Sequence, residues 1–88
     1  MFYVYLLENK TGEWYIGYTS DLRKRVREHN QELNFSTRHK GPWVCIYYEA
    51  CMHRIDATRR EQYFKKTQGY RLLKRRLKEY LFEKKNSN

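Results

Sequence analysis

Cysteine is scarce in this chain. Only Cys45 and Cys51 occur, and they do not form a C-x-x-C pair. A small secreted domain would ordinarily carry more, so a reducing cytoplasm is the simplest home. His53 lies two residues past Cys51 and hints at zinc, but no second close ligand pair stands beside it. Long hydrophobic runs are missing too. The apolar start, Met1 to Leu7, has no basic flank and is cut off by Glu8. That is too early for a signal peptide or a membrane span, so no membrane partner is expected. There is no internal repeat, linker or low-complexity segment. The 88 residues predict one domain over 1–83 with a tail at 84–88 that frays. No helix-turn-helix, zinc finger or long basic extension is present to read bases.

Acid is the other shortage. Ten Asp and Glu face 19 Lys and Arg, for a net charge of +9. Such a surplus favours a polyanionic partner, most often nucleic acid. Much of it is local, because residues 65–85 hold nine Lys/Arg against two Glu. One sign concentrated in this way suggests a rim that binds a phosphate backbone, with Lys74 and Arg75 as candidates; the ordinary alternative is a solvated helix face. Hydrophobic residues make up 40% and aromatics 17%, with nine tyrosines, which is enough to build a core.

Alternation and turn residues set out the elements. Phe2 to Leu7 and Trp14 to Tyr18 read as strands joined at Asn9-Lys10-Thr11-Gly12, an antiparallel hairpin. A turn centred on Lys10 pairs Tyr5 with Tyr15 and Tyr3 with Gly17, and places all four on one sheet face. A helix follows at once, with Ser20 as the favoured cap, running to Gln31 or Leu33 along a stripe of Leu22, Val26 and Leu33. Arg25 and His29 are i,i+4 neighbours on the flank that meets the sheet. A histidine at a core edge needs no special role. An arginine there calls for an anion or a carboxylate.

A loop over 34–42 carries Arg38, His39 and Lys40. Trp43 to Glu49 predicts a third strand with Val44, Ile46 and Tyr48 on one face. A second helix is expected from Met52–Asp56 to Thr67, ended by Gly69, and a third from Tyr70 to Phe82 with Leu73, Leu77, Tyr80 and Leu81 on its apolar face. In the second helix Ala57, Glu61 and Phe64 fall together. A carboxylate on an apolar stripe needs a partner, whether a cation, an arginine or a metal. The fold class expected is α+β, a small three-stranded antiparallel sheet flanked by about three helices.

The order strand, strand, helix, strand, helix, helix resembles the GIY-YIG endonuclease superfamily over nearly the whole chain. Tyr3-Val4-Tyr5 stands at the first signature and Tyr15-Ile16-Gly17 reproduces the second. Arg25 falls at the family's arginine spacing, and His29 at a place that holds histidine or tyrosine in many members. Ala57 to Lys66 looks like the helix bearing the metal-binding glutamate, here Glu61. Two positions depart: Tyr3 replaces the usual glycine, and Tyr18 follows Gly17 where several members carry lysine. What the resemblance implies is a divalent-metal-dependent endonuclease acting on phosphodiester bonds, with one Mg²⁺ or Mn²⁺ held by Glu61. Arg25 would grip the scissile phosphate. Tyr15 would act as general base or water-positioner, with Tyr5 beside it and His29 orienting water, taking a proton or touching phosphate. DNA is expected ahead of RNA, as in DNA repair, with Arg23, Arg27, Arg38, Lys40, Lys74 and Arg75 holding the backbone and little base specificity. Two other readings stand beside this one. The departures at Tyr3 and Tyr18 suit a nucleic-acid binder that keeps the fold without turnover, and exposed tyrosines with a basic helix suit a module for a protein partner.

Overall fold

The computed structural model describes residues 1–86. Strands β1 (Phe2–Glu8), β2 (Trp14–Thr19) and β3 (Val44–Cys51) form one antiparallel sheet in the order β2-β1-β3. Helix α1 (Leu22–Asn30) follows β2, and α2 (Arg54–Phe64), α3 (Thr67–Arg76) and α4 (Lys78–Asn86) follow β3. The class is the α+β expected, with four helices where about three were predicted. No helix among the described residues is long and apolar enough to cross a membrane.

The hairpin keeps the expected face but not the expected register. Tyr5 lies opposite Gly17, Tyr3 opposite Thr19 and Leu7 opposite Tyr15, a slip of two residues from a turn centred on Lys10. The turn side chains explain this. The Asn9 side-chain carbonyl accepts from the Thr11 and Glu13 amides at 3.1 and 2.9 Å and from the Thr11 hydroxyl at 2.9 Å. Gly12 sits at φ 84°, so the loop is longer than a tight two-residue turn. A slip of two preserves side-chain parity, so Tyr5, Tyr15 and Gly17 still share a face.

The sheet carries a core on each side. Val4, Leu6 and Ile16 pack with Ala57, Phe64 and Leu73 of α2 and α3, and Tyr5, Leu7 and Trp43 pack with Leu22 and Val26 of α1. Strand β3 does not alternate as predicted. A bulge between its pairings to Leu6 and Leu7 leaves Tyr48 opposite Tyr5 but Val44 opposite Glu8, so Val44, Ile46 and Tyr48 do not line one face.

Helix α1 is capped by Asp21, not Ser20; the Asp21 carboxylate accepts from the Lys24 amide at 3.2 Å. It ends at Asn30, and Leu33, expected in its stripe, is exposed. His53 caps α2 by accepting from the Ile55 amide at 3.1 Å. Gly69 lies inside α3 instead of ending α2, because the two helices pass so closely that a Cβ there would be 2.0 Å from the Tyr63 carbonyl oxygen. The expected third helix bends at Leu77 into α3 and α4, although Leu77 N–H still donates to Leu73 and Leu81 N–H to Leu77. Residues 84–86 of the tail continue α4, while 87 and 88 lie outside the described residues.

One buried carboxylate fastens α4. Glu8 accepts from Trp14 Nε1 at 2.9 Å and from the Tyr80 hydroxyl, and its carboxylate is 2.6 Å from Lys84 Nζ. Burial alone would raise its carboxyl pKa; these donors outweigh burial and hold it below the usual carboxylate value.

Candidate active site

Tyr5, near the middle of β1, is 2% exposed and reaches over Gly17 on the neighbouring edge strand. A Cβ at Gly17 would sit 2.3 Å from the Tyr5 hydroxyl and 2.4 Å from Cζ. Glycine is therefore required by the tyrosine that crosses it, and the two signature strands form one unit.

That hydroxyl meets α1. Tyr5 Oη lies 2.8 Å from His29 Nε2, and His29 Nδ1 lies 2.7 Å from the Thr37 hydroxyl. A neutral imidazole donates through one nitrogen and accepts through the other, so either tautomer couples Tyr5 to Thr37. Burial pushes the His29 pKa below the ordinary histidine value, the Arg25 charge pushes the same way, and Glu28 opposes them. His29 is 1% exposed with both nitrogens occupied, which leaves it no free atom for direct contact with a phosphate. Tyr15 completes an aromatic cluster, its ring 4.9 Å from His29, 6.4 Å from Tyr5 and 6.4 Å from Trp43.

The Tyr5 hydroxyl reports which charges are near. Burial raises its pKa far above the usual tyrosine range; Tyr15 and Glu61 push it further up and Arg25 pulls it back. Burial thus favours the protonated Tyr5 hydroxyl, which is bonded to His29, whereas Tyr15 is only half buried. Arg25 finds the carboxylate partner its position required in Glu28, at 3.1 Å. Glu61 lies on α2 with its side chain 16% exposed and Lys65 Nζ 3.2 Å away, so the acid predicted on an apolar stripe does have a cation.

No group of three or more His, Cys, Asp or Glu side chains that could hold a metal occurs among the described residues. A cation here would have the single carboxylate of Glu61 and would take its other ligands from water and phosphate oxygens. That donor set fits Mg²⁺, which keeps much of its hydration.

The six candidate backbone-binding residues fall in three places. Arg23 and Arg27 are exposed on α1, on the sheet face that carries Tyr5. Arg38 and Lys40 lie on the loop after α1, Arg38 over the Phe35 ring at 4.6 Å and Lys40 paired with Glu13 at 3.3 Å. Lys74, 5.2 Å from the Tyr70 ring centre, and Arg75 belong to α3 across the sheet. They do not form one continuous rim with Arg23 and Arg27.

Sequence reasoning missed Thr37 and Trp43. Thr37 is 1% exposed, and Trp43 donates from Nε1 to the Thr37 carbonyl at 3.1 Å. The Asn30 side chain accepts from the Trp43 amide at 2.7 Å and donates to the Trp43 carbonyl at 3.0 Å. The loop that looked merely punctuated by Gly41-Pro42 is thus pinned to α1 and presents Thr37 to His29. Its polar composition gave no signal of that.

The chain is similar to known proteins in sequence and fold. The GIY-YIG catalytic domain matches residues 1–74. The UPF0213 protein YazA of Bacillus subtilis is 38% identical over 97% of this chain and 82% of its own length. The UPF0213 protein VNG_2274C of Halobacterium salinarum is 36% identical over 93% of this chain and its whole length. The solution NMR structure of the UPF0213 protein BH0048 from Bacillus halodurans superposes with a TM-score of 0.51 at 34% identity, covering 83% of this chain and 82% of that one. The chain belongs to the GIY-YIG nuclease family.

Proposed function

We propose that this protein is a divalent-metal-dependent endonuclease that hydrolyses phosphodiester bonds in DNA, reading backbone and shape with little base specificity. The observation that carries the reading is the convergence on one buried hydroxyl. Tyr5 is bonded to His29 and packed beside Tyr15, and the charges of Arg25 and Glu61 push its pKa in opposite directions. These are the five residues whose types and spacing resembled a nuclease site.

Each has a role that its surroundings allow. Arg25 presents a planar donor fork to the scissile phosphate and exchanges Glu28 for it as substrate binds. Tyr15 positions the attacking water and, as its phenolate, takes the proton of that water. Tyr5 stays protonated and fixes Tyr15 from behind. His29 is a positioning residue, holding the Tyr5 hydroxyl and held in turn by Thr37. Glu61, released from Lys65, would hold the cation, and Mg²⁺ or Mn²⁺ bound there would supply Lewis acidity to the phosphate and the departing 3′ oxygen. Arg23 and Arg27, on the same side of the sheet, steer the backbone, and affinity falls steeply with salt.

The test is a pair of substitutions in folded protein, Arg25→Ala and Glu61→Gln. Loss of metal-dependent cleavage by about a hundredfold or more in each is the expected result, in line with removal of a single charge-stabilising group. Full activity in both would overturn the assignment. Tight DNA binding without cleavage by the wild type, under either metal, would favour the reading as a nucleic-acid binder suggested by Tyr3 and Tyr18.

A further inference from the structure

Helix α1 has two flanks, and the Tyr5–His29 cluster lies along only one. On the other side, between α1 and β3, lies an open groove of about 700 Å³ lined by Leu22, Val26, Cys45 and Tyr48, with Arg23 and Arg27 at its lip. The volume is within the range of pockets that take small ligands.

Three observations say what the groove is fit for. Its walls are largely apolar, and Arg23 and Arg27, one helical turn apart, form no ion pair among the described residues. Two unneutralised guanidinium groups beside an apolar surface match a ligand that is anionic at one end and flat and apolar at the other. Tyr48 is 55% exposed and packs edge-on against Tyr3 with ring centres 6.0 Å apart, so a neighbour braces the ring while much of it stays open. Finally, Tyr48 pairs directly with Tyr5 in the sheet, so the groove sits on the same face as the reaction centre with α1 between them.

We infer that this groove is a nucleotide-binding subsite for the nucleic-acid strand: one base packs against Tyr48 and the apolar wall, and its flanking phosphates meet Arg23 and Arg27. The inference rests on the nuclease reading and deepens it, because a strand anchored here crosses α1 to reach Arg25. The charge of the chain, +9, favours a polyanion over a neutral peptide as occupant. Base stacking on an aromatic ring is tolerant of sequence, which agrees with a substrate recognised without base readout.

The test uses the full chain in EDTA, so that binding is read without turnover. Two labelled probes are compared, a twelve-residue thymidine oligonucleotide and a strand of the same length made of abasic sites. Expected are amide NMR shifts concentrated at residues 22–27 and 45–48 on adding the thymidine strand. Tyr48→Ala should bind that strand at least about fivefold more weakly and leave abasic-strand affinity unchanged, whereas Tyr48→Phe keeps wild-type affinity. Arg23→Gln should lower the salt slope by about one for both strands. Binding and metal-dependent cleavage with no shifts at 45–48 would overturn the groove and leave the nuclease reading standing. No binding or cleavage of any nucleic acid would overturn both. Shifts in the groove with a polyglutamate peptide but not with the oligonucleotide would overturn the inference in favour of an acidic protein partner.

Discussion

Gly17→Ala strikes the signature hairpin where tolerance is least. The new methyl carbon would lie 2.3 Å from the Tyr5 hydroxyl and 2.4 Å from its Cζ, far inside contact distance. The far end of a side chain can often swing away, but Tyr5 is 2% exposed and its hydroxyl is held 2.8 Å from His29 Nε2. Two responses exist: the ring moves and the buried hydrogen bond breaks, or β2 withdraws from β1. Either response costs about 1–3 kcal/mol, as overpacking of a closed core or a lost partner for a buried polar group does. For a domain of this size that is a fall in melting temperature of roughly 4–24 °C. The assay pairs thermal unfolding by circular dichroism with an NMR titration of the His29 ring. The substitution should lower the melting temperature and change the His29 pKa. Adding Tyr5→Leu, which shortens the obstructing side chain, should make the alanine nearly harmless to stability, so that the two substitutions are strongly non-additive. Gly17→Ala with an unchanged melting temperature and an unchanged His29 titration would refute this reasoning.

Other perturbations have outcomes of their own. Thr37→Val keeps the shape of a buried side chain but leaves His29 Nδ1 unpaired, and should cost about 1–3 kcal/mol by denaturant unfolding together with most of the cleavage rate. His29 has a folded pKa below its ordinary 6.5, so the unfolded chain binds this proton first. Stability should therefore fall as pH drops below about 6.5, and His29→Gln should flatten that part of the profile in melts across pH 4.5–7.5. Glu8 has the same sign and a lower window. Its depressed pKa stabilises the fold above about 4.5, and this contribution is lost as pH falls through the folded value. Glu8→Gln removes the charge that holds Tyr80 and Lys84, and amide exchange should quicken in 78–86 before it does in the sheet.

The sequence made the site more legible than the packing around it. Tyr5, Tyr15 and Gly17 could be placed on one face because strand parity survives a slip of two, and Arg25 with His29 because helical spacing is fixed. Glu61 stood out as a carboxylate on an apolar stripe, and it does have its cation in Lys65. What could not be read depends on particular atoms meeting across the chain. The register follows from Asn9 folding back on Thr11 and Glu13, and the face of β3 from a bulge that no residue type announces. Gly69 looked like a helix stop because glycine often is one; here it lets α2 and α3 touch, a requirement set by Tyr63. Thr37 was invisible for the same reason, since its only distinction is the buried imidazole it meets from eight residues away.

The central claim is that one hydroxyl-centred cluster with Glu61 makes a metal-dependent nuclease. The most direct measurement is cleavage of labelled duplex, single-stranded, flap and four-way-junction DNA with Mg²⁺ or Mn²⁺, with EDTA and Glu61→Ala as controls. Cleavage by the wild type that disappears in both controls is the expected result. Cleavage that persists in EDTA or in Glu61→Ala would contradict the claim, as would DNA bound tightly and left uncut under both metals.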